Sequence, residues 1–324
     1  MAVFNFSSLS PDVMLDAIES LGIYVESGLL PLNSYENRVY QFHDDNKVKY
    51  VTKFYRPQRW SIEQIQEEHD FAFELAAAEV PVVAPIKHNG QSLFEHQGYL
   101  FTLFPSVGGR LFEVDNLDQL DVLGRLIGRM HQVAKTQPFT QRPIVSCDEY
   151  LHTAKVHLQK SNLVPMGLET SFYTILDLVI AQAQLQYKNV DSIRLHGDCH
   201  AGNILWAGDA LMFVDLDDSR QGPAIQDLWM MLSGDRQTQL LQLDTLVNAY
   251  EEFCDFDHSQ LKLIEPLRAM RMIHYMGWVA KRWSDPAFVR NFSWFADDKY
   301  WEQQILALKE QLAALQEAPL KLLP

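Results

Sequence analysis

Three polar residues stand at a spacing that suits phosphoryl transfer. Asp198 and Asn203 are five residues apart in the run His-Gly-Asp-Cys-His-Ala-Gly-Asn that begins at His196, and Asp215 follows twelve residues after Asn203. Phosphoryl transfer needs a carboxylate that orients the acceptor hydroxyl, and oxygen ligands that hold magnesium on the phosphates. We therefore predict that Asp198 is the catalytic base and that Asn203 and Asp215 bind Mg²⁺.

Short apolar segments flank these three residues. Residues 193–195 precede the run, residues 204–206 follow it, and residues 212–214 lead directly into Asp215. Alternation of this kind is typical of short strands joined by polar loops, and loops often carry the residues that do chemistry. The pattern predicts that the three polar side chains lie on loops between strands.

A lysine and a glutamate upstream fit the phosphate-positioning ion pair of kinases. Residues 39–42 and 48–55 read as a strand hairpin around the turn at 44–46, with Lys53 in the second strand. A helix over 61–79 carries Glu68 on its apolar stripe, whereas Glu67 shares a face with other polar residues. We predict that Lys53 pairs with Glu68 and contacts ATP. The alternative for Lys53 is an ordinary edge-strand lysine.

The segment 33–39 is a candidate cover for the nucleotide phosphates, although it contains no glycine. Ser34 offers a hydroxyl, and Asn37 tolerates a positive φ better than most residues, which would allow a tight turn with inward-pointing amides. We place Ser34 and Asn37 in the ATP site. The alternative is a plain hairpin turn.

The remainder of the chain divides at a proline- and glycine-rich hinge at 105–109. Strand-like stretches at 92–94 and 99–104 precede the hinge, and Ser10-Pro11 begins an N-terminal helix that Gly22 ends. Helical periodicity dominates after the hinge, in segments 117–133, 149–159, 171–186, 227–232, 237–253 and 259–283. The pattern predicts an α+β fold of two lobes, a small antiparallel-sheet N-lobe over 1–105 and a larger, mostly helical C-lobe over 106–324.

Composition limits the partners. The 42 acidic and 27 basic side chains give a formal charge of −15, which opposes binding to nucleic acid and would favour cationic partners. The three cysteines are too few and too scattered for a disulfide framework, and no apolar run is long enough to span a membrane. We expect a cytoplasmic monomer without nucleic-acid or membrane partners.

Several polar residues have competing interpretations. His196, Asp198, Cys199 and His200 are all types that ligate zinc, but adjacent ligands suit one tetrahedral ion poorly. We expect His200 to brace the loop and His196 to be a buried, hydrogen-bonded histidine. Asp217 is a candidate metal or loop ligand and Asp227 a candidate loop anchor, and for each a solvated charge or helix cap is equally plausible.

A stripe near the C-terminus has helical spacing and could line an acceptor pocket. We favour the simpler interpretation, a helix that packs its aromatic residues and solvates its arginines. The residues concerned are Arg268, Arg271, His274, Trp278 and Arg282.

The five-residue interval from Asp198 to Asn203 matches the catalytic loop of protein kinases. The motif His-Gly-Asp-x-His-x-x-Asn resembles that of aminoglycoside phosphotransferases and choline kinases. Further segments extend the resemblance over nearly the whole chain to the bacterial stress response kinase A family. These are residues 32–40, Phe-Tyr-Arg-Pro at 54–57, Glu-Glu-His at 67–69, residues 104–110 and Phe-Val-Asp-Leu-Asp-Asp at 213–218.

The resemblance implies a two-lobed, protein-kinase-like fold of the choline kinase and aminoglycoside phosphotransferase type. It implies a serine/threonine protein kinase with a role in stress response that uses ATP and Mg²⁺ and takes protein substrates. The enzyme itself is a candidate substrate, by autophosphorylation. By the same resemblance Asp198 is the proton acceptor, Asn203 and Asp215 are the magnesium ligands, and Ser34 contacts ATP.

Two departures from protein kinases stand out. The phosphate-covering segment has no glycine, and Asp215-Leu216-Asp217 replaces Asp-Phe-Gly with only eleven residues between Asp215 and Asp227. A long, phosphorylatable activation loop is therefore not expected. Two other functions stay open. One is a small-molecule kinase acting on an aminoglycoside, a choline-like amine or a homoserine-like alcohol, and the other is a nucleotide-binding scaffold without turnover.

Overall fold

The computed structural model describes residues 5–188, 190–208 and 210–322. Its N-terminal part is an antiparallel sheet in the order β1-β2-β3-β5-β4, with a short helix, α1, packed against it. The elements are α1 (Pro11–Glu19), β1 (Leu30–Pro31), β2 (Arg38–His43), β3 (Lys49–Phe54), α2 (Ile62–Ala77), β4 (Phe94–His96) and β5 (Tyr99–Pro105).

The β2–β3 hairpin places Lys53 in the middle of the sheet. The Asp44 carboxylate accepts hydrogen bonds from the backbone amides of Asn46 and Val48, at 2.9 and 2.8 Å, and so closes the turn. Val39 and Thr102 are the register partners of Lys53 on the two neighbouring strands. Lys53 is therefore on a central strand, not on an edge.

Helix α2 connects the sheet to the rest of the molecule. Ser61 and Gln64 form a reciprocal capping box at its start, which satisfies backbone donors that would otherwise have no partner. Its buried face carries Phe71 and Leu75 into the main hydrophobic core, together with residues of the helical part. The helix that carries Glu68 is thus fixed on the larger part of the protein.

The rest of the described chain is mainly helical. Helices α3 and α7 lie side by side, as do α4 and α8, and α5 and α10. The helices are α3 (Leu117–Ala134), α4 (Ala154–Ser161), α5 (Glu169–Gln186), α6 (Gln226–Trp229), α7 (Arg236–Glu251), α8 (Ile264–Arg282), α9 (Pro286–Asn291) and α10 (Asp298–Ala314). On the described residues no helix is long and apolar enough to cross a membrane.

Two small antiparallel sheets carry the loops of interest. One has the order β6-β8-β9, built from β6 (Arg110–Leu111), β8 (Ile204–Ala207) and β9 (Ala210–Phe213). The other pairs β7 (Ile193–Leu195) with β10 (Arg220–Gly222). Strand β6 follows β5 after residues 106–109, so the predicted hinge is the crossing from the large sheet to a small one. We propose the lobe boundary at 105/106 for this reason.

Some predicted helices have different bounds. The segment predicted at 149–159 begins with a π-helix, Asp148–Thr153, and the one predicted at 259–283 begins with a 3₁₀-helix, His258–Leu263. The segment predicted at 227–232 is only the four-residue α6. Helices α9 and α10 were not predicted. Trp301 of α10 is fully buried against Phe172 of α5, with ring centroids 5.1 Å apart.

Candidate active site

The loop after β7 is held by one buried carboxylate. Asp227 accepts hydrogen bonds from the backbone amides of His196 and Gly197, at 2.8 and 2.9 Å, and lies 3.1 Å from Nε2 of His131. Gly197 has a φ of 85°, the left-handed region that favours glycine. Asp227 is therefore the anchor of the loop, and the alternative of a solvated charge is wrong.

Asp198 follows this anchored turn and is engaged on both carboxylate oxygens. Oδ1 is 2.6 Å from Nη1 of Arg271, and Oδ2 is 3.4 Å from both Nε2 of His200 and Nδ2 of Asn203. Burial would raise the pKa of Asp198, but hydrogen bonding from His200 and the charge of Arg271 outweigh burial and hold this pKa below its ordinary value. The carboxylate is therefore ionised at neutral pH.

The two histidines of the motif brace the loop. Nε2 of the buried His196 lies 2.9 Å from the carbonyl oxygen of Val214, and Nδ1 of His200 accepts a hydrogen bond from the amide of Gly202 at 2.9 Å. Because Nδ1 of His200 is an acceptor, the proton of the neutral ring is on Nε2, which faces Asp198. Within the described ranges no group of three or more His, Cys, Asp and Glu side chains is placed to hold a metal ion.

Asn203 and Asp215 come together through the pairing of β8 with β9. Ile204 is the register partner of Phe213, and the amide of Val214 donates to the carbonyl of Asn203 at 3.0 Å. The Asn203 side-chain NH₂ donates to the Asp198 carbonyl at 2.9 Å, which leaves its amide oxygen for another partner. The Asp215 side chain is 55% exposed. An amide oxygen and a carboxylate side by side fit the ligands that Mg²⁺ prefers.

Lys53 lies among three carboxylates. Its Nζ is 3.0 Å from Asp217, 3.1 Å from Asp215 and 3.6 Å from Glu68. Burial would lower the pKa of Lys53, but the three carboxylates outweigh it and raise this pKa well above its ordinary value. Burial raises the pKa of Glu68 to about 7 against the opposing charge of Lys53. Lys53 is a fixed cation beside Asp215.

The choice between the two adjacent glutamates is resolved by their surroundings. Glu68 is 3% exposed and pairs with Lys53, as the apolar stripe predicted. The carboxylate of Glu67 instead accepts three backbone amides of residues 140–142, at 2.7 to 2.9 Å. Asp217, which the sequence left open, is an ion-pair partner of Lys53 and of Arg59.

The glycine-free segment between β1 and β2 is held from both sides. The amide of Leu32 donates to the carbonyl of Val39 at 2.9 Å, which closes the segment. The expectation that Asn37 takes a positive φ is wrong, since Asn37 is not among the described residues with positive φ. Its Oδ1 accepts the backbone amide of Arg56 at 3.0 Å, so the side chain fixes the turn to the end of β3.

Glu36 fastens the same segment to the C-terminal helices. Its carboxylate is 2.6 Å from Nε1 of Trp278 and 3.0 Å from Nε of Arg56, and it also pairs with Arg282. Burial would raise the pKa of Glu36, but Arg59 and Arg282 together lower it. Sequence reasoning missed Glu36 because its partners are distant in the chain.

A cavity of about 280 Å³ lies beneath this segment. Its polar lining includes Ser34, Asn37, Lys53, Asn203 and Asp215, which are the predicted cofactor and metal residues apart from Glu68. Its apolar lining includes residues 104, 105 and 107 of the hinge. Glu68 does not line the cavity and acts on it only through Lys53.

A second cavity of about 310 Å³ is lined by Asp198 and His200. The preference for simple packing in the C-terminal stripe is wrong for Arg271, His274 and Trp278, which line this cavity. Arg268 pairs with Glu265 within α8 and is not in the lining. Arg59 and Arg220, which sequence reasoning did not single out, also line it, as does Tyr35.

Comparison with known proteins agrees with this geometry. The model of the family described as "Phosphotransferase enzyme family" matches residues 28–264. Stress response kinase A of Escherichia coli is 52% identical over 324 residues, covering 100% of this chain and 98% of the relative. A protein of Salmonella typhimurium named serine/threonine protein kinase RdoA is 51% identical over 322 residues, covering 99% and 98%.

Solved structures show the same fold. An amicoumacin kinase in complex with AMP-PNP, Ca²⁺ and Ami superposes with a TM-score of 0.71 at 17% sequence identity, covering 95% of this chain and 94% of that one. The fold is therefore the two-lobed α+β architecture of small phosphotransferases. Together with the full-length sequence match, it establishes that this chain belongs to the phosphotransferase enzyme family and, within it, to the bacterial stress response kinase A group.

Proposed function

We propose that this phosphotransferase is an ATP- and Mg²⁺-dependent serine/threonine protein kinase. The observation that carries the proposal is the position of Asp198 and Asn203 between two cavities. Asn203 lines the cavity that is also lined by Lys53 and Asp215, whereas Asp198, whose carboxylate lies 3.4 Å from the Asn203 side-chain nitrogen, lines the second cavity. A donor nucleotide and an acceptor hydroxyl would meet at this point.

In this proposal the nucleotide lies in the cavity under the segment that carries Ser34 and Asn37, with the base against the hinge. Lys53, held in place by Glu68, neutralises phosphate charge. Asn203 and Asp215 would hold Mg²⁺, which when bound offsets the negative charge of the phosphates. Their oxygen donors fit that ion, as the free amide oxygen of Asn203 and the exposed carboxylate of Asp215 indicate.

Asp198 then acts on the acceptor. Its ionised carboxylate accepts a hydrogen bond from the serine or threonine hydroxyl and takes the proton as the phosphoryl group transfers. Arg271 occupies one of its oxygens at 2.6 Å, so the hydroxyl binds at the other oxygen or displaces the arginine. His200 and Asn203 keep the carboxylate oriented.

A protein acceptor is supported by the relative named serine/threonine protein kinase and by the charge of the acceptor cavity. The amicoumacin kinase shows that the fold also serves small-molecule acceptors. An amine acceptor would be expected to find an excess of carboxylates, yet the three arginines of the acceptor cavity outnumber its two carboxylates, Asp198 and Asp218. We further propose a role in stress response, from the names of the relatives, and a monomeric cytoplasmic enzyme whose three cysteines are free.

The test is transfer of labelled γ-phosphate from Mg-ATP to three classes of acceptor, namely the enzyme itself, a general protein substrate, and a panel of small amines and alcohols. We expect label on serine or threonine of protein. Label confined to a small molecule would overturn the protein-kinase assignment. Binding of ATP with no transfer to any acceptor would favour the alternative of a nucleotide-binding scaffold without turnover.

A further inference from the structure

The acceptor cavity continues into a groove that leads away from Asp198. A cavity of about 170 Å³ adjoins it, lined partly by residues of α4 and of the second half of α8. The two cavities have five lining residues in common, so they form one depression, which we call the acceptor groove. The shared residues are Arg59, Asp218, Arg220, His274 and Trp278.

The acceptor groove is less negative than the protein as a whole. The chain has a formal charge of −15, yet the groove is lined by five arginine and lysine side chains against three carboxylates. The cations are Arg59, Arg220, Arg271, Lys281 and Arg282, and the carboxylates are Glu149, Asp198 and Asp218. Asp217 and Glu36 pair with Arg59 and Arg282 from outside the lining, so the groove is close to neutral and repels anions less than the rest of the surface does.

Not all of this positive charge is free for a ligand. Arg59 pairs with Asp217 and Asp218, Arg220 pairs with Asp218 and Glu149, and Arg282 pairs with Glu36. The charges of these three arginines are therefore balanced by carboxylates, and their side chains form part of the groove's lining.

Lys281 is the one cation of the groove without a carboxylate partner within ion-pair distance among the described residues, whereas Arg271 pairs with Asp198 at 2.6 Å and marks the catalytic end of the groove. The side chain of Arg271 is 42% exposed. Both residues lie on α8, which also carries His274 and Trp278.

Two histidines that line the groove, His274 and His157, have pKa values that are lowered by burial and by nearby cations. Burial and the charges of Arg220 and Arg271 lower the pKa of His274 to about 4, with Asp218 opposing them. Burial and nearby cations, Lys281 first among them, also lower the pKa of His157. Both rings therefore remain neutral at neutral pH and add no charge, which leaves Lys281 as the cation of the groove that has no carboxylate partner among the described residues.

The spacing of these two cations defines a ligand length. Lys281 follows Arg271 by ten residues on one helix, a rise of about 15 Å at about 1.5 Å per residue. An extended peptide covers about 15 Å in roughly four to five residues. A groove of this length exceeds what a single small alcohol needs and matches a short stretch of polypeptide.

We propose that the acceptor groove selects protein segments in which acidic residues lie about four or five positions from the serine or threonine that is phosphorylated. The hydroxyl meets Asp198, and the distant carboxylates meet Lys281 at the far end. This inference rests on the proposed protein-kinase function and narrows its substrate class to acidic segments.

The experiment compares three peptides of equal length with one central serine. The residues four and five positions away on both sides are Asp in the first, Asn in the second and Lys in the third. Initial rates give kcat/KM for each with the wild-type enzyme at low salt. The expected order is Asp, then Asn, then Lys, with an Asp-to-Lys ratio of about tenfold that falls as salt screens the charges.

Two variants locate the effect. Lys281→Glu should lower the Asp-to-Lys ratio about fivefold, and Lys281→Met should lower it by a smaller factor without adding a charge. Lys309→Glu is the matched control, because Lys309 is an exposed lysine on α10 and the substitution changes the net charge equally. It should leave the ratio unchanged. Melting temperatures establish that all three variants are folded.

The outcomes separate the two proposals. Equal rates on all three peptides, or a preference for the Lys peptide, would overturn the acidic selectivity and leave the protein-kinase function standing. If Lys309→Glu and Lys281→Glu changed the Asp-to-Lys ratio equally, the acidic selectivity would also be overturned, because the net charge of the protein would then be the cause. Transfer to a general protein substrate but to none of the three peptides would overturn this inference alone, whereas no transfer to any protein or peptide would overturn the protein-kinase function and this inference with it.

Discussion

Gly197 directly precedes Asp198. A methyl group added at this position should lower both the stability of the protein and its catalytic rate. The φ of 85° at Gly197 costs an alanine about 1 to 2 kcal/mol in any surroundings. A Cβ built there would also overlap the carbonyl oxygen of Asp218 and lie 2.9 Å from the carbon of the same carbonyl. That neighbour is backbone, so relief requires the loop itself to move.

The size of the movement sets the expected loss. A carbon and a carbonyl group normally pack at about 3.5 Å, so the loop must shift by about 1 Å relative to Asp218. A displacement of about 1 Å at a reacting group costs on the order of 100-fold in rate. Overlap of this kind adds about 1 to 3 kcal/mol of destabilisation to the cost of the positive φ. Gly197→Ala should therefore lose about 2 to 5 kcal/mol of stability and about 100-fold in kcat.

Gly22→Ala is the matched control. Gly22 has a φ of 74° at the end of α1, and a Cβ there would meet no atom within 4 Å. It should lose only the backbone cost, about 1 to 2 kcal/mol, with kcat unchanged. Urea unfolding gives the free energies, and phosphate-transfer rates below the melting temperature give kcat. If Gly197→Ala matched Gly22→Ala in both measurements, the close approach of the catalytic loop to Asp218 would be refuted.

Three further substitutions test the surroundings of the site. Asp227→Asn should lower the free energy of unfolding by about 3 kcal/mol, because an amide replaces a buried carboxylate that accepts two backbone amides; a loss below 1 kcal/mol in urea unfolding would contradict the anchor. Because the pKa of Glu68 is raised to about 7 in the fold, its contribution to stability is present at low pH and is lost as pH rises from about 4.5 to about 7. The melting temperature of the wild type should therefore fall relative to that of Glu68→Gln over this range, and parallel curves would contradict it. Glu36→Gln should cost about 3 kcal/mol and raise the KM for ATP, since it leaves Arg282 without a carboxylate partner among the described residues and leaves Arg56 with Asp285 alone; an unchanged melting temperature would show that the network is dispensable.

Local patterns were sufficient for much of the fold and for the pairing of Lys53 with Glu68. The apolar stripe of α2 distinguishes Glu68 from Glu67 because one face of a helix is buried and the other is not. The segment after Ile193 is a strand, a loop and a strand, and its polar residues meet where β8 pairs with β9. These features depend on neighbours in the sequence, so spacing alone could predict them.

Features that depend on distant neighbours were missed or misjudged. Glu36 meets Trp278 across 242 positions, and Arg59 meets Asp217 across 158. Nothing in a single sequence reports such pairings, so the ionic fastening of the phosphate-covering segment was not predicted. Arg271 was assigned to solvent because helical periodicity gives a face but not the partner of that face. Asn37 was assigned a conformational role, whereas its side chain hydrogen-bonds to the backbone of Arg56.

The central claim is that Asp198 acts on the acceptor while Asp215 acts on the nucleotide. The most direct measurement is Mg-ATP binding by calorimetry together with γ-phosphate transfer, for the wild type, Asp198→Asn and Asp215→Asn. The account predicts that Asp198→Asn binds Mg-ATP normally and loses at least about 100-fold in transfer, whereas Asp215→Asn binds Mg-ATP more weakly. Undiminished transfer by Asp198→Asn would contradict the account.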